Sequence, residues 1–354
     1  MNLIVKDIDR VKNTLEKLHK SKKLFFALFF DERPVHKKYF SDDQISILKA
    51  TNLISIKQNY ISANYRVIKL QNNNNSAFIV TDKVSYKKLD QVMPLHPENQ
   101  FIVDDMKIKA DDEVLEIGVG SGVNVIFSIM SGAKKVTALD INKRTFEFTK
   151  FNAALNLSKQ DQNKINLILN KKSSLENIFD SVKNKKFDYI VTNPPFEPTP
   201  PKSKYLLNSA SGIYGLDVIE AILKKTKQHL KNAGYLQMVT FSPGNQKEPF
   251  MLKEMLNKYL GAGIIHLNKI GMKYVDFTKR FIDLGYDKEK VDLMNLQAKK
   301  DKVTHLYLSM VQYNNQMEDV KIKTSTKIYK NWDIPIYSDV PMGFKPKKSK
   351  LKLD

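Results

Sequence analysis

From residue 112 onward, short apolar runs alternate with longer segments whose apolar residues recur every three or four positions. The short runs predict strands at 113–117, 135–140, 165–170, 187–192, 235–241, 264–269 and 303–312. The longer segments predict helices at 123–131, 143–156, 216–231 and 247–259. Strands separated by helices of this length imply a parallel sheet covered on both faces. The run VTHLYLSMVQY is expected as a late, antiparallel strand. The pattern therefore predicts an α/β domain of seven strands over 93–315.

The first ninety residues follow a different pattern. DRVKNTLEKLHK places Val11, Leu15 and Leu18 on one helix face. SDDQISILKATNLI opens with Ser41 and Gln44 at capping-box spacing, and Ile45, Leu48 and Leu53 suit a short helix. YRVIKLQNNNNSAFIVTD predicts two strands around a turn at Asn72 to Asn75. Helix followed by hairpin predicts a small α+β, winged-helix-like module over 1–92. The hairpin carries few positive charges, which favours packing or substrate selection over nucleic-acid contact. MPLHPENQFIVDDM, 93–106, is expected as the hinge between the two units. Residues 316–354 are expected as an extension whose tail, GFKPKKSKLKLD, is a solvated charge run.

Composition narrows the chemistry. With 354 residues, 42% of them hydrophobic, the chain can bury a sizeable core and has room for two domains. Its longest aromatic-apolar run, LFFALFF from Leu24 to Phe30, is too short to span a bilayer. The start, MNLIVKDIDR, has no long apolar leader segment, so a soluble cytoplasmic protein is expected. There is no cysteine, which excludes disulfides, thiolate metal sites and cysteine nucleophiles. The histidines at 19, 36, 96, 229, 266 and 305 include no i, i+4 pair, and no metal is expected. The net charge of +20 admits two readings. One is a basic surface for an anionic partner such as nucleic acid or a ribosome. The other is compositional: lysine and asparagine are plentiful throughout, and arginine occurs only at 10, 33, 66, 144 and 280.

The stretch DEVLEIGVGSGVNVIFSIM runs a strand into a glycine turn and then a helix, with Glu116, Gly118, Gly120 and Gly122. Glycine permits the tight turn and lets a ligand approach the backbone. The next strand ends on Asp140, whose carboxylate can accept from both ribose hydroxyls. A dinucleotide loop would need Gly-x-Gly-x-x-Gly, but Val123 stands where the third glycine belongs. Glu116 would repel a pyrophosphate. It suits S-adenosyl-L-methionine, which carries an amino group and a sulfonium and no phosphate. Further along, FDYIVTNPPFEPTPP ends a strand on Asn193, Pro194, Pro195 and Phe196. A planar NH2 is a weak nucleophile because its lone pair is delocalised. The Asn193 side-chain oxygen and the Pro194 carbonyl can each accept one of its N–H groups. Proline fixes φ, so these acceptors are preorganised. Phe196 is expected to stack on the planar group.

With these residues, 112 to about 245 resembles a class I S-adenosylmethionine-dependent methyltransferase with a Rossmann-like fold, nearest to the release-factor glutamine methyltransferases. HPENQFIVDDM is similar to that family's Pro-Glu segment, and SGIYGLDVIEAILKKTKQHLKNAGYL to its Gly-Leu-Asp helix. The resemblance implies that Glu116, Gly118, Gly120, Ser121, Gly122, Asp140, Ile141 and Asn193 bind the cofactor. It implies that Asn193, Pro194 and Phe196 are catalytic, and that Asn193, Pro195 and Phe196 contact the acceptor. Three departures stand out. Phe196 replaces the commoner tyrosine. Lys171, Lys172, Ser173 and Ser174 stand where an acid usually meets the adenine amine, leaving Ser173 as the expected contact. The first ninety residues differ from the family's usual five-helix domain. The expected acceptor is a planar nitrogen of a macromolecule, either a protein glutamine or a nucleobase of RNA or DNA. The alternatives are a small-molecule metabolite and a non-catalytic binder, and the complete Asn193 to Phe196 motif speaks against the latter.

Overall fold

The computed structural model describes residues 3–86, 88–170, 174–201, 211–283, 285–329 and 332. The N-terminal unit begins with α1 (Ile8–Lys20) and α2 (Lys22–Phe29), then β1 (Val35–His36) and α3 (Asp42–Ala50). The strands β2 (Ile54–Lys57), β3 (Tyr60–Ala63), β4 (Arg66–Gln71) and β5 (Ser76–Thr81) follow. The Ser41–Gln44 capping box is present: Gln44 N–H donates to Ser41 Oγ at 3.2 Å and Ser41 N–H to Gln44 Oε1 at 2.9 Å. The antiparallel three-stranded sheet runs β1-β3-β2. The hairpin around Asn72–Asn75 exists as β4–β5, but it forms a sheet of its own and is no wing on the first.

The larger unit comprises α4 (Pro97–Asp104), β6 (Glu113–Ile117), α5 (Val123–Met130), β7 (Lys135–Asp140), α6 (Lys143–Asn156), α7 (Lys159–Gln162) and β8 (Ile165–Leu169). It continues with β9 (Phe187–Thr192), α8 (Asp217–His229), β10 (Leu230–Gly244), α9 (Phe250–Tyr259), β11 (Gly263–Lys273) and α10 (Tyr274–Asp283). It ends with α11 (Lys288–Lys300), β12 (His305–Asn314) and β13 (Val320–Thr324). The sheet order is β13-β11-β12-β10-β9-β6-β7-β8. From β10 to β8 neighbours are parallel, and β12 is antiparallel to both β10 and β11. Val114, Leu115, Ile190 and Val191 are fully buried, because helices cover both faces.

The sheet has eight strands among the described residues, one more than the seven expected. The eighth, β13, comes from the segment read as extension and pairs parallel with β11, Ile265 opposite Ile322. As an edge strand with Lys321 and Lys323 turned outward, VKIKT carries little apolar signal. Tyr329 and Trp332 are also in the core. The tail GFKPKKSKLKLD lies outside the described residues. The hinge contains a helix, α4, with Pro97 at its first position and the Asn99 side chain accepting from His96 N–H at 2.9 Å.

The N-terminal unit is welded to the sheet domain through α6. Asn152 and Asn156, one turn apart, bond the outer edge of β5 like a neighbouring strand. Val80 N–H donates to Asn152 Oδ1 at 2.8 Å and Phe78 N–H to Asn156 Oδ1 at 2.9 Å. Their Nδ2 groups donate to Val80 O at 2.9 Å and Phe78 O at 2.8 Å. An edge that would otherwise be unpaired is thus satisfied. Phe78, Phe127, Phe148 and Phe151 share one core across the two units.

Candidate active site

Four adjacent strands, in the order β9, β6, β7 and β8, end at one level of the sheet. Their ends carry Asn193, Gly118, Asp140 and Asn170. The strand order reverses beside β6, and ligands of open α/β sheets bind at such points. A cleft of about 490 Å³ lies there. Of the residues expected from sequence, it brings together Glu116, Gly118, Gly120, Ser121, Asp140, Ile141, Asn193, Pro194 and Pro195.

The glycine turn is held to the strand ends by short bonds. Gly118 N–H donates to Leu139 O at 2.8 Å, and Gly120 N–H to Asp140 Oδ2 at 3.1 Å. Asn142 N–H donates to the other oxygen, Oδ1, at 2.8 Å. Asp140 thus ties the glycine turn to the chain that follows β7. Gly118, Gly120 and Gly122 all have positive φ, but their surroundings differ. A Cβ at Gly120 would meet nothing within 4 Å and would project into open space, whereas one at Gly122 would lie 2.7 Å from Thr149 Cγ2. Gly122 is not on the cleft, contrary to expectation; it is glycine because α5 starts against α6.

Burial sets the electrostatics. It pushes the Glu116 carboxyl well above the usual range; Asp140 adds to the rise, while the Asn124 side chain and Val125 N–H oppose it. Burial likewise raises Asp140, against the pull of the Asn142 and Gly120 N–H groups. Glu116 Oε2 has no hydrogen-bond partner. Among the described residues lining the cleft there is no lysine, arginine or histidine, although the chain carries +20. A buried and a half-buried carboxylate, with no cation among the described lining residues, suit a ligand that brings its own positive charge. S-adenosylmethionine fits this donor set: Glu116 would hold its amino group and Asp140 its ribose, and it would supply a methyl group activated on sulfonium.

Phe196 is placed differently from its expected stacking role. Exposure alternates from Thr192 to Phe196, so the turn continues the extended strand and Phe196 faces away from Asn193. Phe196 is 5% exposed, and its ring packs on Phe241 with centroids 4.6 Å apart. Ser173 lies outside the described residues. Sequence reasoning also missed Asn170, on the cleft at the first position after β8. Its Nδ2 is committed to Asn177 O at 3.0 Å and Ile178 O at 3.2 Å, so Oδ1 remains to accept a ligand amine. A lone asparagine in an asparagine-rich chain gave no sequence signal. The stretch Gln91 to Leu95 forms a further wall. It is pinned by Arg144, which donates to both Asp82 oxygens, at 2.5 and 2.6 Å, and to Asp90 O at 3.2 Å.

Among the described residues no helix is long and apolar enough to cross a membrane. Comparison with known proteins adds a family to this geometry. Residues 85–262 match the model of the methyltransferase small domain. A Methanocaldococcus jannaschii protein named as a candidate protein N5-glutamine methyltransferase is 30% identical over 167 residues, 44% of this chain and 79% of the relative. The release factor glutamine methyltransferase of Aquifex aeolicus is 28% identical over 186 residues, 49% of this chain. That match spans 62% of the relative, so the chain covers less than two thirds of that protein. Among solved structures, a T. thermophilus 16S rRNA N2 G1207 methyltransferase in complex with AdoMet and guanosine covers 67% of this chain and 61% of its own. There the identity is 15% and the TM-score 0.38. The family match takes in half of the chain, with the glycine turn, Asp140 and Asn193 inside it. The chain belongs to the methyltransferase small domain family, and it is an S-adenosylmethionine-dependent methyltransferase.

Proposed function

We propose that the chain methylates a planar nitrogen on a macromolecule, and that the acceptor is the side-chain amide of a protein glutamine. The observation that carries this reading is Asn193 and Pro194 standing on the same cleft wall as the cofactor-facing Glu116 and Asp140. The Asn193 Oδ1 and the Pro194 carbonyl accept the two N–H groups of the acceptor, turning its nitrogen lone pair toward the methyl donor. Holding the nitrogen within about 3–3.5 Å of its target supplies most of the acceleration. The names of the M. jannaschii and A. aeolicus relatives support the amide class. The net charge of +20 supports a nucleobase amine as the second reading.

The full chain, incubated with tritiated-methyl S-adenosylmethionine and a cell extract, should place label in the protein fraction. Acid hydrolysis should then release the label as volatile methylamine. Label in RNA or DNA alone would favour the second reading, and label in small metabolites alone would overturn both. Asp140→Ala should weaken cofactor binding by about 10- to 100-fold, the equivalent of one lost charge-assisted contact. Asn193→Ala should leave cofactor binding within about threefold, a difference below 1 kcal/mol, while abolishing transfer. Equal loss of binding in both variants would contradict these roles.

A further inference from the structure

Behind the cleft wall lies a carboxyl group that the scheme above leaves without a task. Glu98, in the first turn of α4, is 2% exposed, and its Oε2 has no hydrogen-bond partner. Burying a carboxyl among packed side chains is unfavourable unless it is paired. The Asn193 side-chain amide lies beside it. His96, which precedes α4, brings Nδ1 to 3.9 Å from Glu98 Oε1. Glu197, just beyond the proline turn, bears on Glu98 through its charge. Arg66 of β4 bears on His96.

An asparagine amide is two-faced. Rotated by half a turn, Asn193 would offer the cleft its NH2 instead of its oxygen, and a methyl acceptor's N–H would find no partner. A neighbouring carboxylate removes this ambiguity, because it accepts only and so draws the NH2 toward itself. We propose that Glu98 is a positioning residue: it takes the Asn193 NH2 as donor and thereby holds the amide oxygen toward the cleft to receive the methyl acceptor. This role rests on the proposed acceptor chemistry, but the orientation itself can be measured without any acceptor.

Burial raises the Glu98 carboxyl to about 8 and the Glu197 charge adds to the rise, while its own backbone N–H and the Asn193 amide oppose it. His96 is pushed down to about 4, chiefly by burial and then by Arg66, so it is neutral where Glu98 titrates. Protonated Glu98 can donate to the Asn193 oxygen and reverse the amide. Orientation should therefore follow the ionisation of Glu98.

The test is solution NMR of the full-length chain with 15N-labelled side-chain amides, the Asn193 NH2 pair being identified by its loss in Asn193→Ser. Glu98→Gln keeps the shape but, like protonated Glu98, brings a donor that can reverse the amide; Glu98→Ala removes the partner. Above pH 8, where Glu98 is ionised, the Asn193 NH2 should exchange with solvent at least about tenfold more slowly in wild type than in Glu98→Ala. The wild-type signal should titrate with pH, and the Glu98→Gln signal should not. S-adenosylmethionine affinity should agree within about twofold in all three, since Glu98 is off the cleft. Methyl incorporation should rise in wild type as pH climbs through about 8, and should stay low without that rise in Glu98→Gln and Glu98→Ala. Equal exchange in wild type and Glu98→Ala overturns the proposal. If Glu98→Ala does not fold, an Asn193 signal that titrates identically in wild type and Glu98→Gln overturns it. A protected, titrating Asn193 in a protein that labels no macromolecule would refute the acceptor reading and leave the positioning role standing.

Discussion

Gly120 and Gly122 have the same left-handed backbone, yet a methyl group would act differently at each. Either alanine carries a conformational cost of about 1–2 kcal/mol. At Gly122 the new Cβ also collides with the buried Thr149, and overpacking adds about 1–3 kcal/mol. Urea denaturation should therefore show Gly122→Ala as much the less stable. Calorimetric titration should show Gly120→Ala as the greater loss of cofactor affinity, since its Cβ enters the cleft. Glu116 gives a pH prediction. Its folded-state pKa is raised, so the ligand-free protein loses stability as pH climbs from the ordinary glutamate range through that raised value. A cationic ligand favours the ionised form, so affinity rises over the same window, until the ligand's amino group deprotonates at about 7.7–8.0. The thermal shift caused by S-adenosylmethionine should grow with pH in wild type and stay flat in Glu116→Gln. Asp140 and Asn193, both expected from the sequence, line the cleft at strand ends, where one position decides what faces it. Phe196 was misplaced because chemistry named its residue type, whereas strand alternation decided its face.

Among the elements, α6 does more than cover the sheet. Asn152 Nδ2 donates to Ser121 O in the glycine turn at 2.9 Å as well as to Val80 O on the hairpin. One buried side chain thus ties the N-terminal unit to the cofactor loop. Asn152→Ala would strand Val80 N–H and two carbonyls, and each buried unpaired group costs about 1–3 kcal/mol. The expected outcome is a loss of several kcal/mol in urea denaturation together with weaker cofactor binding. Unchanged cofactor affinity would show that the hairpin and the loop are independent. None of this was legible beforehand. Apolar periodicity located α6, and it located β6 through β9 almost to the residue, because β6, β7 and β9 are largely buried and β8 is an unbroken run of mostly apolar residues. It says nothing about asparagines that imitate a strand edge. It also passed over α4, which is only eight residues long, and the short strands of β1-β3-β2.

For the molecule as a whole, the question is how far the catalytic cleft depends on chain remote from it in sequence. Among the described residues the cleft carries no lysine, arginine or histidine while the molecule carries +20, so Glu116 and Asp140 are set apart from the bulk charge. The C-terminal residues reach the site by packing instead. Trp332, 2% exposed, packs on Phe241 with ring centroids 4.6 Å apart, and the same Phe241 ring supports Phe196 at the end of the proline turn. Removing the indole leaves a cavity beneath that turn, and Trp-to-Ala changes in cores cost about 3–5 kcal/mol. Trp332→Ala should therefore lower the melting temperature clearly. It should slow methyl transfer more than it weakens cofactor binding, because Phe196 braces the acceptor side while Asp140 and Glu116 rest on other strands. A chain ending at residue 315 loses β13, Tyr329 and Trp332 together, and should be less stable still. If instead that shortened chain melted with the full-length protein, the aromatic relay from Trp332 to Phe196 would have no mechanical role.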